Sequence, residues 1–375
     1  MKYIIKIRKF LWNFHHFGSH RTKIVICVSV IALSTIIAVP ILYVNSLIDK
    51  INYTDWSDTV KVEDMFEEDM VPSQFKTMQP EDVSWQVNLV TTNQSERNKD
   101  IEGIYNFLVV GEEAINTKGN GRTDSMMIVT LDTVNNAIKL TSLMRDIYVK
   151  IPEHKDNRLN AAYSMGGMPL LVRTIESNFG IKITNSAKVD FSSFETIIDK
   201  LGGVEISITS DEAKYLNSTN YISDPCNRNI KEGKQTLNGN QVLGYARVRY
   251  VRSENGEQND FGRTNRQRTI LDAIFKKYKT KSPSELIESL KDILPLVTTD
   301  MNKKEIVSYA MILFNHMPNS LSTLRLPIDN SYTGVSIRNM SVLAINWGQN
   351  QQVLTSFIYG FESTDRNHVY ESPIK

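Results

Sequence analysis

A chain of 375 residues with 41% hydrophobic and 23% charged content is ordinary for a globular protein and long enough for one large domain or two smaller ones. Its net charge of +1 excludes a protein built to coat nucleic acid. Two cysteines, with Cys27 inside an apolar run and Cys226 alone outside it, exclude an intrachain disulfide framework, and no Cys/His cluster has zinc spacing.

Residues 1–23 carry Lys2, Lys6, Arg8, Lys9, Arg21 and Lys23 and no acid, and residues 24–44 then run without a charge. That length matches the roughly 20 residues a helix needs to cross a bilayer. Pro40 near the far end is tolerable in such a helix. Asp49, Asp55, Asp58, Glu63, Asp64, Glu67, Glu68 and Asp69 follow, against two lysines, so the positive-inside rule keeps 1–23 in the cytoplasm and puts the bulk outside. A cleaved signal peptide would have an apolar core of about 7–15 residues and a small-residue cleavage site. Val44-Asn45-Ser46-Leu47 offers none. The expectation is a cytoplasmic tail 1–23, an uncleaved single transmembrane helix 24–44, and a polar extracellular stalk 45–100 with a short helical piece at 58–70. The loop 91–99 (TTNQSERNK) marks the start of an extracellular domain at 101–375.

In that domain 105–110 (YNFLVV) reads as a strand, and 126–131 and 137–143 as two more joined by a hairpin at 132–136. The spacing predicts amphipathic helices over 169–179 and 192–201, the second stopped by Gly202-Gly203, and then a strand at 204–208. Helices alternating with strands indicate an α/β layered domain, and the hairpin makes its central sheet mixed. Helices dominate 283–314, a late strand is expected at 321–326, and 330–375 reads as irregular.

The stretch 247–268, RVRYVRSENGEQNDFGRTNRQR, holds six arginines, three acids and no lysine. Planar guanidiniums grip phosphate or carboxylate bidentately, so all-Arg usage favours an anion site over a solvated face. Residues 244–251 read as a strand placing Arg247 and Arg249 on one face. A helix over 262–279 would carry Arg263 and Gln267 on one face, in first turns that also favour anions. Asp260 is placed to cap it. The bland alternative is structural ion pairing. Three further groups stand out, two of them at strand ends. Glu113 and Asp124, the latter in Gly121-Arg122-Thr123-Asp124, make two carboxylates available, and two carboxylates plus substrate phosphates is how Mg²⁺ is usually held. Read alone, Asp124 is a turn cap, Arg145–Asp146 a surface pair worth little, and Arg158 a helix cap. No P-loop, Rossmann fingerprint or nucleophile elbow occurs.

In these residues the chain resembles the LytR–CpsA–Psr family of bacterial envelope proteins over about 105–279. The matching motifs are FLVVGEE (107–113), GRTDSMMIVTLD (121–132), SLMRDIYVKIP (142–152), RLNAAYSMGG (158–167), VDFSSFETIIDKLGGVEI (189–206), LNGNQVLGYARVRY (237–250) and DFGRTNRQRTIL (260–271). The resemblance implies an α/β/α sandwich enclosing a lipid-accommodating apolar pocket. It implies a phosphotransferase that moves a glycopolymer, such as teichoic acid or capsular polysaccharide, from a polyprenyl-pyrophosphate carrier to peptidoglycan at the membrane. The metal carboxylates fall on Glu113 and Asp124, for Mg²⁺ or Mn²⁺. The pyrophosphate arginines fall on Arg145, Arg247, Arg249 and Arg263, with Asp260 and Gln267 beside them and Arg122 and Arg158 as further substrate contacts. Glu113 stands where the family commonly has Asp, and Arg158 where it often has Lys. A non-enzymatic polyprenyl-phosphate binder and a hydrolase of the same pyrophosphate are the alternatives. Nucleic acid is not an expected partner, because the arginine stretch lies beyond the span.

Overall fold

The computed structural model describes residues 46, 49–57, 59, 63, 71–83, 101–113, 121–315, 318 and 320–360. The expected span 24–44, the boundary loop 91–99 and nearly all of the helical piece 58–70 lie outside the described residues. Among the described residues, no helix is long and apolar enough to cross a membrane. The chain divides into two units at residue 50, and the fold and site belong to the second, 51–375.

Its strands are β1 (Asn52–Tyr53), β2 (Lys76–Thr77), β3 (Ile104–Glu113), β4 (Arg122–Asp132), β5 (Ala137–Leu143), β6 (Tyr148–Val149), β7 (Asn157–Arg158), β8 (Asn185–Asp190), β9 (Val204–Ile208), β10 (Gly233–Leu237), β11 (Thr298–Thr299), β12 (Ser320–Leu326), β13 (Tyr332–Ile337) and β14 (Met340–Ile345). The helices are α1 (Leu159–Phe179), α2 (Phe191–Lys200), α3 (Ser210–Ser218), α4 (Gly239–Arg247), α5 (Asn259–Lys279), α6 (Pro283–Ile293), α7 (Lys303–Asn315) and α8 (Trp347–Tyr359). The central sheet runs β1-β11-β8-β3-β4-β5-β12. It is mixed, as the hairpin signal required: β3–β4 and β4–β5 are antiparallel, whereas β3–β8 and β5–β12 are parallel.

Strand alternation gives this sheet two apolar faces. Leu108, Val110, Met126 and Ile128 point to one, where they join the buried residues of α1 and α8 in the largest core cluster. Burying each such side chain stabilises the fold by roughly 1.5–3 kcal/mol. The register pairs Tyr105, Phe107 and Val109 with Leu131, Val129 and Met127 on the opposite face. Tyr309 of α7 meets that face edge-on, 5.3 Å from the Tyr105 ring and 4.9 Å from Phe107. There Phe107, Val109 and Val129 remain half-buried.

Four sequence readings change. The strand at 204–208 forms, but it pairs only with β10 outside the central sheet, over a second core shared with α3, α4 and α5. The region 330–375 is not irregular up to residue 359: β13, β14 and α8 occupy it. Arg338 and Asn339 both take positive φ to make the β13–β14 turn, a hairpin without the glycine that usually signals one. The helix expected from residue 169 starts at Leu159 and breaks at Gly166-Gly167, just before Pro169. The described parts of 45–100 contribute to the folded unit: β1 pairs with β11, β2 pairs with β13, and Trp56 Nε1 donates to Ser186 Oγ at 3.1 Å.

Candidate active site

The carboxyl ends of the parallel strands β3 and β8, and of β5 and β12, lie on one edge of the sheet, where open α/β sheets take their ligands. Glu113 ends β3 there. The ladder pairs Gly111 with Ser125 but Glu112 with Thr123, which leaves Asp124 as the extra residue of a β-bulge. Thr123 Oγ1 donates to Gly111 O at 3.1 Å across it. Bulges re-aim a side chain, and this one presents Asp124 to the arginines. Glu112 is already committed, to Lys188 at 2.9 Å, the Tyr163 hydroxyl at 3.1 Å and the Gly121 N–H at 3.1 Å.

The expected strand 244–251 is not formed. Asn238 and Gln241 make a reciprocal capping box, Val242, Tyr245 and Ala246 bury one face, and the segment becomes helix α4. Arg247 ends that helix and Arg249 follows in a loop. Asn259 N–H donates to Arg249 O at 2.9 Å, tying this loop to the start of α5. Asp260 does not cap α5. Gln258 holds the cap position without a side-chain bond, and Asp260 sits in the first turn, because three guanidiniums claim its carboxylate.

The result is a ring of alternating charge. Asp124 Oδ1 lies 2.7 Å from Arg145 Nη1, and its Oδ2 lies 3.0 Å from both Arg249 Nη2 and Arg263 Nη1. Asp260 Oδ1 lies 3.2 Å from Arg249 Nε and 3.0 Å from Arg263 Nη2, while its Oδ2 is 3.3 Å from Arg145 Nη2. Behind the ring, Asp146 Oδ1 is 3.5 Å from Arg145 Nε and 3.9 Å from Arg158 Nη1. At the rim, Arg247 lies over the Phe191 ring at 5.4 Å and reaches Glu113 at 3.8 Å. Gln267 stands one turn beyond Arg263 on α5, half-buried. Arg122 is opposite Glu113 in the ladder, and its side chain lies outside the described residues.

Burial pushes the Asp124 and Asp260 carboxyls up, but Arg263, Arg145 and Arg249 outweigh it, holding both below the usual range and Asp260 down to about 2. Burial likewise opposes charge on Arg145, yet Asp146, Asp260 and Asp124 together raise its pKa. Asp146 goes the other way, to about 6, because burial and the neighbouring Asp260 outweigh its two distant arginines. Arg263 Nε is buried and has no hydrogen-bond acceptor among the described residues. An anion with several oxygens would give that N–H an acceptor.

The stretch 247–268 therefore divides. Arg249 and Arg263 build the ring and Arg247 its rim. Arg266 is a structural pair with Glu212 at 2.7 Å, both fully buried, as the bland alternative required. Asp146 is the site residue that sequence missed; its one signal, an acid next to Arg145 just past a strand, reads equally as a surface pair. Among the described residues, no group of three or more His, Cys, Asp or Glu is placed to hold a metal ion. Glu113 and Asp124 carry hard oxygens of the kind Mg²⁺ takes, with both Asp124 oxygens met here by Arg145, Arg249 and Arg263.

A family model described as the LytR_cpsA_psr family matches residues 73–356. The regulatory protein MsrR of Staphylococcus aureus is 32% identical over 261 residues, 68% of this chain and 75% of that one. The polyisoprenyl-teichoic acid–peptidoglycan teichoic acid transferase TagV of Bacillus subtilis is 28% identical over 269 residues, 69% of this chain and 66% of that one. The structure of B. subtilis TagT with bound octaprenyl pyrophosphate lipid shares the fold, with a TM-score of 0.50 and 20% identity over 68% of this chain and 91% of that one.

Proposed function

The chain belongs to the LytR–CpsA–Psr family, and from that premise we propose that it transfers a glycopolymer phosphate from a polyprenyl-pyrophosphate carrier to peptidoglycan. The observation that carries this reading is the ring of Arg145, Arg249 and Arg263 around Asp124 and Asp260, at the carboxyl edge of the sheet. A pyrophosphate diester carries two negative charges, and its cleavage moves charge onto the departing lipid phosphate. Guanidiniums fixed in place before reaction stabilise that charge without reorganising. Arg145, Arg249 and Arg263 would grip the phosphate oxygens, Arg247 the outer phosphate, and Gln267, Arg122 and Arg158 would orient what they hold. Glu113 and Asp124 would hold Mg²⁺, which supplies Lewis-acid neutralisation when bound. A hydroxyl of peptidoglycan would then displace the lipid phosphate and leave a phosphodiester.

The half-buried face of Phe107, Val109 and Val129 offers an apolar bed for the lipid chain. Such a donor sits in the membrane, which suits an anchor at 24–44, an extracellular catalytic unit that includes 101–375 and a sandwich of helices around the sheet. The test is to incubate the full chain in detergent with a synthetic polyprenyl-pyrophosphate oligosaccharide, peptidoglycan fragments and Mg²⁺, read by mass spectrometry. Polymer linked to peptidoglycan is the expected product. Free phosphorylated oligosaccharide alone would make the protein a hydrolase, and retention of intact lipid would make it a binder.

A further inference from the structure

We propose that Arg325 is a positioning residue for the charged ring: it holds the first turn of α5, and with it Asp260 and Arg263, in register with Arg145 after β5. This deepens the transferase reading and rests on it. It also gives the C-terminal strands β12 and β13 a part in the site.

The ion-pair partners of Arg325 among the described residues are Asp329 and Glu257, the second at 3.8 Å, so it grips no ring carboxylate. What it touches are the chain neighbours of ring residues. Its Cζ lies 4.4 Å from the centre of the Phe261 side chain, next after Asp260. Its Nη1 is 3.9 Å from the Met144 sulfur, next before Arg145. The backbone ties the same places together: Arg325 stands opposite Ser142 in the β12–β5 ladder, and Met144 N–H donates to Leu326 O at 3.0 Å. Phe261 also stacks on Tyr332 of β13, with centres 5.1 Å apart and planes inclined by 26°.

The start of α5 needs such a hold. Gln258 occupies the cap position without a side-chain bond, and Asn259 takes a φ of 55°, so no local cap fixes where the helix begins. Asp260 and Arg263 lie in its opening turns, and a misplacement of about 1 Å in a positioned group can cost about 10²-fold in rate. The Arg325 side chain is only 8% exposed. If burial were all that mattered, an aliphatic residue would fill the place without desolvating a charge. A guanidinium adds a flat face that stacks on Phe261 at a fixed attitude, and a fork that Asp329 and Glu257 orient. From β12 it therefore braces two arms of the charged ring at once, the end of β5 and the start of α5.

The test compares Arg325→Met, Arg325→Lys and Phe261→Leu in the full chain in detergent, with a synthetic polyprenyl-pyrophosphate oligosaccharide, peptidoglycan fragments and Mg²⁺. Arg325→Met keeps the side chain long and strands no fully buried acid, since Asp329 is 47% and Glu257 26% exposed. It should lower kcat by about 10- to 10²-fold and leave KM within about threefold. Arg325→Lys, which keeps a charge beside Phe261 without the fork, should recover part of kcat. Phe261→Leu should slow turnover to a similar extent. The double variant Arg325→Met with Phe261→Leu should be no slower than the slower single, because each change removes the same contact. Loss through general destabilisation would multiply instead. Spectra of protein labelled with ¹⁵N-arginine, without substrate, give a second reading. The Nε–H signals of Arg145 and Arg263, assigned by their Lys variants, should move in Arg325→Met and in Phe261→Leu. Wild-type kcat in Arg325→Met overturns the proposal, as do multiplied losses in the double variant or unmoved Arg145 and Arg263 signals. Should Arg325→Met fail to fold, Arg325→Lys and Phe261→Leu decide by the same readings. If the wild type links no polymer, the transferase reading fails, and the arginine signals decide the positioning by themselves.

Discussion

Arg263 Nη1 lies 3.0 Å from Asp124 Oδ2, so a buried guanidinium on α5 closes onto the carboxylate that the β3–β4 bulge turns outward. One Arg thereby joins the two halves of the site: its Nη2 also meets Asp260 at 3.0 Å.

Arg263→Lys tests that joint. Lysine keeps the charge but offers a point donor on a flexible stem, and it cannot span both carboxylates with a planar fork. Transfer should fall by about 10²- to 10³-fold in kcat, as when a preorganised transition-state donor is lost. Product counted by mass spectrometry checks it. A Lys variant with near wild-type turnover would remove the fork from the mechanism.

Arg247 is a different case. Its side chain is 43% exposed and reaches Glu113 only at 3.8 Å. Arg247→Ala should leave stability within about 0.5 kcal/mol, as at most surface sites. Its effect should appear in substrate capture, as a rise of about tenfold in KM with a smaller change in kcat. Urea melts and a substrate titration measure the two separately.

Much of this site was legible because its residues stand at element ends, which sequence patterns mark well. Glu113 ends β3 and Arg145 follows β5, as read, whereas Asp124 lies inside β4 at the bulge and Arg263 in the second turn of α5, which starts three residues earlier than expected. The α4 segment was misread because Ala246, Val248 and Tyr250 alternate with Arg247 and Arg249 as in a strand, whereas the Asn238–Gln241 capping box commits the chain to helix upstream. The bulge was invisible, since an extra residue in a ladder is a property of two strands and neither sequence alone carries it. Asp146 was overlooked for a similar reason. Its behaviour is set by burial and by Asp260, which comes from a remote part of the chain.

Chelation gives a third prediction. If Glu113 and Asp124 hold Mg²⁺ between them and the substrate phosphates, excess EDTA should stop turnover, and Mg²⁺ or Mn²⁺ should restore it. Glu113→Gln should raise the Mg²⁺ concentration for half-maximal rate by about tenfold or more while leaving the thermal melt unchanged, because Glu113 is 44% exposed. Turnover unaffected by EDTA would leave the arginines to neutralise the pyrophosphate alone.

Asp146 makes a prediction about stability that is independent of substrate. A carboxyl whose folded pKa is raised binds its proton more tightly in the native state. Its contribution is fully present below the unfolded value, 3.8, and is lost as pH rises through about 6. Above that, the native state must carry an ionised, buried carboxylate, at a cost on the order of 3 kcal/mol. Asp146→Asn removes the cost, so its Tm should exceed that of wild type at pH 8 and match it near pH 4. Asp260, with its depressed pKa, contributes stability above about 4 that is lost only toward pH 2, so the two windows do not overlap. Scanning calorimetry at both pH values reads the difference, and a variant destabilised equally at each would contradict the burial argument.

Arg266 touches neither ring carboxylate, yet it should control transfer. Its Nε donates to Glu212 at 2.7 Å, its Nη1 to Val248 O at 3.1 Å and its Nη2 to Val251 O at 2.9 Å. The last two bonds hold the loop that presents Arg249. Arg266→Ala strands a fully buried Glu212, which should destabilise the fold by about 3–5 kcal/mol. Stability alone would then explain any lost activity, so the informative protein is Arg266→Met with Glu212→Leu. Replacing both charges by apolar groups of similar volume is often neutral or stabilising, although the Glu212 cap on Thr209 is lost at about 1 kcal/mol. Urea melts should therefore place this double variant near wild type. Its transfer rate should nonetheless stay at least about tenfold down, because the carbonyls of Val248 and Val251 have lost their donors and Arg249 is no longer held against Asp124 and Asp260. Full activity in the stable double variant would show that the Arg249 loop is positioned by Asn259 and the ring itself.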